Sequence, residues 1–130
     1  MRSDTRGANA VLDKSYAFAL EVVQVYKAMT EKKEYVLSKQ LLRSGTSIGA
    51  NVEEAQAAQS TKDFVNKLSI ACKEARETRY WLRLLDQSQL CALNFVPLLE
   101  RAEELIGILN SIIKTTTERQ SAALKPIPNS

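Results

Sequence analysis

Apolar residues recur along this chain at steps of three and four, the spacing of one helix face, and the alternation of a strand is missing. From Val11 to about Thr30 two such stripes run side by side. Leu12, Tyr16, Ala19, Val23 and Tyr26 form one, and Val11, Phe18, Val22, Val25 and Met29 form the other. A face that wide suits a helix packed against two neighbours. The polar run Glu31–Glu34 is a connection, and a second helix is predicted over about 35–59. Ser60-Thr61-Lys62-Asp63 has the form of an N-cap with a carboxylate three residues on.

The third helix, about 61–87, carries the most regular seam. Phe64, Leu68, Ala71, Ala75, Thr78, Leu82 and Leu85 alternate steps of four and three without a break. Asn94 is the expected cap of a fourth helix, with Pro97 tolerated in its first turn. That helix shows Leu98, Ala102, Leu105, Leu109 and Ile112, and its pattern fades by Thr115–Thr117. Four helices joined by short links predict an all-α fold, an antiparallel up-down-up-down four-helix bundle over residues 11–117. Residues 1–10 are expected as a flexible leader and 118–130 as a flexible tail.

The second helix has an unusual middle, LLRSGTSIGANVEEA at residues 41–55, rich in Ser, Thr and Gly. A phosphate-cradling loop would need a preceding strand and a Lys after the second glycine. Instead Gly49 is followed by Ala50 and Asn51. Leu37, Leu41, Ser44, Ile48, Asn51 and Ala55 still keep helical steps, so the segment is expected to be helical. Each interior glycine costs about 1 kcal/mol relative to alanine, and close packing must return it. Gly45 and Gly49 are therefore expected to lie against the small centre of the third helix, Ala71 and Ala75, and Asn51 to bond to a neighbouring helix if buried.

Composition narrows the chemistry. The chain has 130 residues, ordinary apolar and charged fractions, and only four glycines and three prolines, too few for an all-β fold. Histidine is absent, which removes Ser-His and Cys-His catalysis, histidine general acid–base chemistry and histidine metal sites. Two cysteines, Cys72 and Cys91, make no disulfide framework. No segment reaches a membrane-spanning length and the N-terminus lacks an apolar signal region, so a cytoplasmic location without membrane contact is expected. The adjacent pairs Glu53–Glu54 and Glu103–Glu104 point about 100° apart on a helix and form no carboxylate dyad. No cofactor, metal or catalytic constellation is read from the residues.

Two sets of residues remain as candidates. Lys73, Arg76, Tyr80 and Arg83 form an outward stripe on the third helix, with Arg79 and Arg43 as further cations. Such a stripe either contacts RNA or DNA, cations on phosphate and the ring on a base, or is a solvated face with local ion pairs. Trp81 and Leu84 sit on the flank that carries Glu74 and Glu77. They are either a broad core edge or a subunit contact.

These residues resemble a known family, the small bacterial four-helix bundles encoded in intervening sequences of 23S rRNA genes. The resemblance rests on Leu42-Arg43-Ser44-x-x-Ser47-Ile48-x-Ala50-Asn51-Val52-x-Glu54-Ala55 and on Ser60-x-x-Asp63-Phe64-x-x-Lys67-Leu68-x-Ile70-Ala71. It continues in Glu74-Ala75-x-Glu77-Thr78. Ala55 departs from the pattern, since many relatives carry glycine there. The family is similar to the accessory protein of diversity-generating retroelements, a pentameric barrel that binds nucleic acid and a reverse transcriptase. The resemblance implies a homo-oligomer, plausibly a pentamer, with a basic surface and no enzyme activity. A nucleic acid, or a protein partner such as a reverse transcriptase, is the implied ligand. Family names that mention ribosomal proteins reflect gene location and do not place the chain in a ribosome.

Overall fold

A computed structural model describes the backbone of residues 2–124 and the side chains from Asn9 onward within that span. It contains four helices: α1 (Arg2–Glu31), α2 (Leu37–Gln56), α3 (Thr61–Ser88) and α4 (Val96–Leu124). Each helix packs on its chain neighbours and α1 closes the ring against α4, while α1/α3 and α2/α4 stand diagonally. Side-chain pairs fix the directions. Lys14 reaches Glu104 and Arg101 reaches Glu21, Arg43 meets Glu74 and Glu77, and Arg79 meets Glu103 two turns away from the contact of Cys72 on Asn110. Along the α1–α4 and α3–α4 interfaces residue numbers rise on one helix as they fall on the other, and the short link between Gln56 and Thr61 turns α3 back along α2. The chain is an antiparallel up-down-up-down four-helix bundle, as its periodicity predicts.

The α3 seam is buried as expected. Leu68, Ala71, Ala75, Thr78, Leu82 and Leu85 are inaccessible, with Phe64 half-buried at the start. They meet Val11, Phe18, Val22 and Met29 of α1, Leu41, Ile48 and Val52 of α2, and Leu98, Leu105 and Leu109 of α4 in one core. Ser60 caps α3, its hydroxyl accepting from the Asp63 N–H at 3.0 Å. The Asp63 carboxylate accepts from the Gln59 N–H in return.

Both helix ends differ from the expected limits. Where a flexible leader is expected, the backbone is already helical from Arg2. Once the Val11–Met29 face is anchored, each added residue needs no new nucleus, and no proline stands in the way. Of the expected tail, 118–124 belongs to α4, and residues 125–130 lie outside the described region. Thr116 is buried one turn after Ile112, so the threonine run continues the seam where an apolar count sees it fade. Helix α2 begins two residues later than predicted because Glu34 sets its start. That carboxylate accepts from the N–H groups of Val36, Leu37 and Ser38 at 2.8, 3.1 and 2.7 Å. Three orphan donors of a helix start are thereby satisfied by one side chain.

The segment 41–55 is helical throughout. Its small polar side chains bond within their own helix. Ser44 donates to the Gln40 carbonyl, Thr46 to Leu42, Ser47 to Arg43, and Asn51 Nδ2 to Ser47, at 2.6–3.0 Å. Asn51 therefore needs no neighbouring helix, contrary to expectation. The glycines face a different neighbour from the one expected. A Cβ at Gly45 would lie 2.8 Å from Val22 Cγ2, and one at Gly49 would lie 3.3 Å from the Ser15 carbonyl oxygen. The close approach is between α2 and α1. The Arg43–Glu74 contact puts Gly45 level with Cys72, so the small centres of α2 and α3 do share a level, but α2 turns its glycines aside. Periodicity finds the face of a helix and leaves open which of two neighbours that face meets.

Val22 is fully buried and β-branched, with little rotamer freedom to make room. Gly45→Ala is expected to destabilise by about 1–3 kcal/mol through overpacking, less the roughly 1 kcal/mol that alanine gains in a helix. In the Val22→Ala background the same change becomes stabilising. Gly107, which has open space around it, supplies the control: Gly107→Ala should stabilise by about 0.5–1 kcal/mol. Urea titrations of the five proteins check the set. Equal effects of Gly45→Ala in both backgrounds would show that the α1–α2 contact is not limiting.

Candidate functional site

Two ion-pair clusters divide the surface of α3 into edges. Glu74 and Glu77 face α2, where both meet Arg43, the Glu74 contact at 3.3 Å. Trp81, one turn on, donates its Nε1 proton to the Glu77 carboxylate at 3.1 Å. Cys72 and Arg79 face α4 instead, on Asn110 and Glu103. The strip between and beside these edges is outward. It carries Lys73, Arg76, Tyr80 and Arg83, all exposed, with Tyr80 54% accessible. Its ring meets Trp81 edge-on at 5.1 Å.

The six residues expected to contact nucleic acid thus separate by local electrostatics. Lys73, Arg76 and Arg83 make no ion pair among the described residues, so their charge faces solvent. Arg43 and Arg79 are each held by carboxylates and act as struts between helices, the first on α2–α3 and the second on α3–α4. Sequence reasoning ranked them with the open cations because spacing along one helix cannot show a carboxylate on the next. It also missed Lys62, which is exposed and in helical step with Lys73 along Asn66 and Ser69. From Lys62 to Arg83 this strip spans roughly 30 Å.

The flank pair separates too. Leu84 is 38% exposed, whereas Trp81 is half-buried and tied to Glu77. Ala71 and Ala75 are fully buried, and Gly45 and Gly49 sit on α1 as described above. A further set went unseen. Tyr16 and Leu20 of α1 are 62% and 52% exposed and Val23 lies beside them, although the expected packing had Tyr16 and Val23 against a neighbour. The fully buried apolar side chains of α1 all come from the stripe Val11–Met29, with Leu12 of the other stripe partly buried against the core.

Among the described residues no three His, Cys, Asp or Glu side chains converge as metal ligands. No described helix is long and apolar enough to cross a membrane.

The architecture is that of a small all-α bundle with one basic helix face. The family described as 23S rRNA-intervening sequence protein matches residues 8–111, most of the chain. The chain belongs to the 23S rRNA-intervening sequence protein family. Among solved structures it is similar to a protein of unknown function from the S23 ribosomal protein family of Bacteroides thetaiotaomicron VPI-5482, determined at 1.70 Å resolution. The two share 49% identity with a TM-score of 0.79, over 83% of this chain and 98% of the other. No curated protein matches.

The Glu77 cluster reports on itself. The Trp81 hydrogen bond first, and the Arg43 guanidinium second, hold the Glu77 carboxyl below its ordinary value of 4.5. A depressed folded pKa contributes stability above the unfolded value, lost as pH falls through the folded one. Trp81 is the single tryptophan, so its emission should titrate with a midpoint below 4.5 in the native protein. Arg43→Gln should move that midpoint upward, and Glu77→Gln should abolish the transition. A midpoint unmoved by Arg43→Gln would break the assignment of the strut.

Proposed function

We propose that this protein is a non-catalytic, self-assembling helical scaffold that binds RNA or DNA through the outward face of α3. The observation that carries the reading is the separation of cations. Arg43 and Arg79 are neutralised on the flanks, while Lys73, Arg76 and Arg83 stand open around an exposed tyrosine. Solvated cations of this kind bind a phosphate backbone by releasing its counterions, and an exposed ring gives an unpaired base a surface to stack on. A cytoplasmic role and a ring of five copies rest on the resemblance read from the sequence, the family description tying its members to 23S rRNA intervening sequences.

A second reading has a specific observation behind it. Exposed Leu84 and Tyr80 border a shallow depression with Arg83 and Gln87, a surface that suits a protein partner such as a reverse transcriptase. In that case the protein is an adaptor and the charges only keep it soluble.

Filter binding of a labelled oligonucleotide across a salt series decides between them. Each phosphate contact to a duplex contributes about −0.9 to the slope of log affinity against log salt. Three open cations predict a slope of about −2 to −3 per protomer. Lys73→Glu with Arg76→Glu should lower the magnitude of the slope by about 2. Affinity that is absent at low salt, or indifferent to salt, would refute nucleic-acid binding and leave the adaptor.

A further inference from the structure

The last turns of α3 hold an aromatic ring beside a hollow. Tyr80, Arg83, Leu84, Gln87 and Ser88 line a shallow depression of about 350 Å³. That is toward the low end of the roughly 300–1,000 Å³ of small-ligand sites. The ring is supported from its flank. Tyr80 meets Trp81 edge-on, with centroids 5.1 Å apart and planes at 72°. Trp81 is itself fixed by its hydrogen bond to Glu77, which Arg43 holds in turn. An edge-on contact covers at most one face of the tyrosine, and the residue stays 54% exposed. A ring placed before its ligand arrives loses little freedom on binding it.

Ring and charge share one line. At about 100° per residue, Lys73, Arg76, Arg83 and Gln87 all lie within about 60° of Tyr80 around α3. The carboxylates nearby are engaged or turned aside. Glu77, at the edge of the line, is bound by Trp81 and Arg43. Asp86 lies about 120° round the helix from Tyr80 and is partly buried. On α4, Glu103 is paired with Arg79, and Glu100 stands on the outer side, opposite the buried Leu98, Ala102 and Leu109. A phosphodiester backbone that follows the cations from Lys73 to Arg83, about 15 Å, therefore carries its bases past the tyrosine. Only an unpaired base can turn a face to that ring, because inside a duplex the neighbouring pairs cover it. A protein side chain seated in the same depression would leave Lys73 and Arg76 without a role.

We infer that the Tyr80 depression seats one unpaired nucleobase, so that the α3 strip binds single-stranded nucleic acid in preference to a duplex. The base stacks on the Tyr80 ring beside Leu84. Gln87 offers its edge both a donor and an acceptor, and Arg83 takes the adjoining phosphate. This rests on the nucleic-acid reading above and specifies the class of strand.

Trp81, the single tryptophan, touches the ring and reports on the seat. The probes are a labelled twelve-nucleotide strand of mixed sequence, as RNA and as DNA, and each strand annealed to its complement. Anisotropy at low salt should show the single strand bound roughly ten-fold or more tightly than the duplex, and only the single strand should change Trp81 emission. Tyr80→Ala should weaken the single strand roughly 5- to 100-fold, leaving the duplex affinity and the salt slope unchanged, while Tyr80→Phe keeps native affinity. Lys73→Gln with Arg76→Gln should instead flatten the salt slope for both forms. All three positions are exposed, and circular dichroism confirms that the variants stay helical. A duplex bound as tightly as the single strand, or an equal loss for both on Tyr80→Ala, refutes the base seat and leaves the nucleic-acid reading standing. Binding of neither form refutes that reading itself.

Discussion

The contact between α1 and α2 sets the limits for the rest of the bundle. Gly45 and Gly49 let the two backbones approach until Val22 and the Ser15 carbonyl fill the space that β-carbons would take. A helix pays for such glycines in backbone entropy, and dispersion between the closely packed turns offsets it. The small residues around them are polar, and their hydroxyls fold back on carbonyls of the same helix. Burial of Ser38, Ser44 and Ser15 therefore leaves no polar side-chain atom unsatisfied among the described residues. With α1 fixed so close, α2 presents Leu41, Ile48 and Val52 to the core and turns Arg43 toward α3. There Glu74 and Glu77 receive it. The packing of one pair of helices thus positions the ion pairs that border the basic strip on the next.

How much of this is legible in the sequence depends on the question. Helix number, direction and the α3 seam follow from periodicity alone, since Phe64 to Leu85 admits only one face. The capping of α3 by Ser60 follows from residue type. The choice of neighbour does not follow, because a stripe of small residues lies between two helices and spacing gives it no preference. The same ambiguity made Tyr16 and Val23 look like core when the stripe of Val11, Phe18, Val22 and Met29 already fills it. The start of α2 was hidden for another reason. Glu34 caps from outside the helix through three backbone N–H groups, and a glutamate in a charged connection carries no distinctive pattern.

The candidate surface was legible in its residues but not in its charge. Six positions on α2 and α3 look alike when only their spacing is known. Tertiary pairing then withdraws Arg43 and Arg79 by placing a carboxylate within 3.3 Å of each. Ion pairs of this sort add little to stability, because at least one side chain of each is half in solvent. Their consequence is electrostatic. A neutralised flank on either side leaves the field of Lys73, Arg76 and Arg83 concentrated on one outward strip, which net charge of +3 alone would not suggest.

Open charge lies along one strip of each protomer, and that arrangement has a mechanical consequence. In the self-assembly proposed above, the outward strip of α3 repeats once per copy. One protomer offers only three open cations and Lys62, too few for tight binding of a backbone at ordinary ionic strength. Repetition changes this, because strips joined in one assembly engage a long polyanion at high effective concentration without any new contact. On that proposal, assembly and nucleic-acid binding are coupled steps. On the proposed reading, a bundle this small acts by being multiplied.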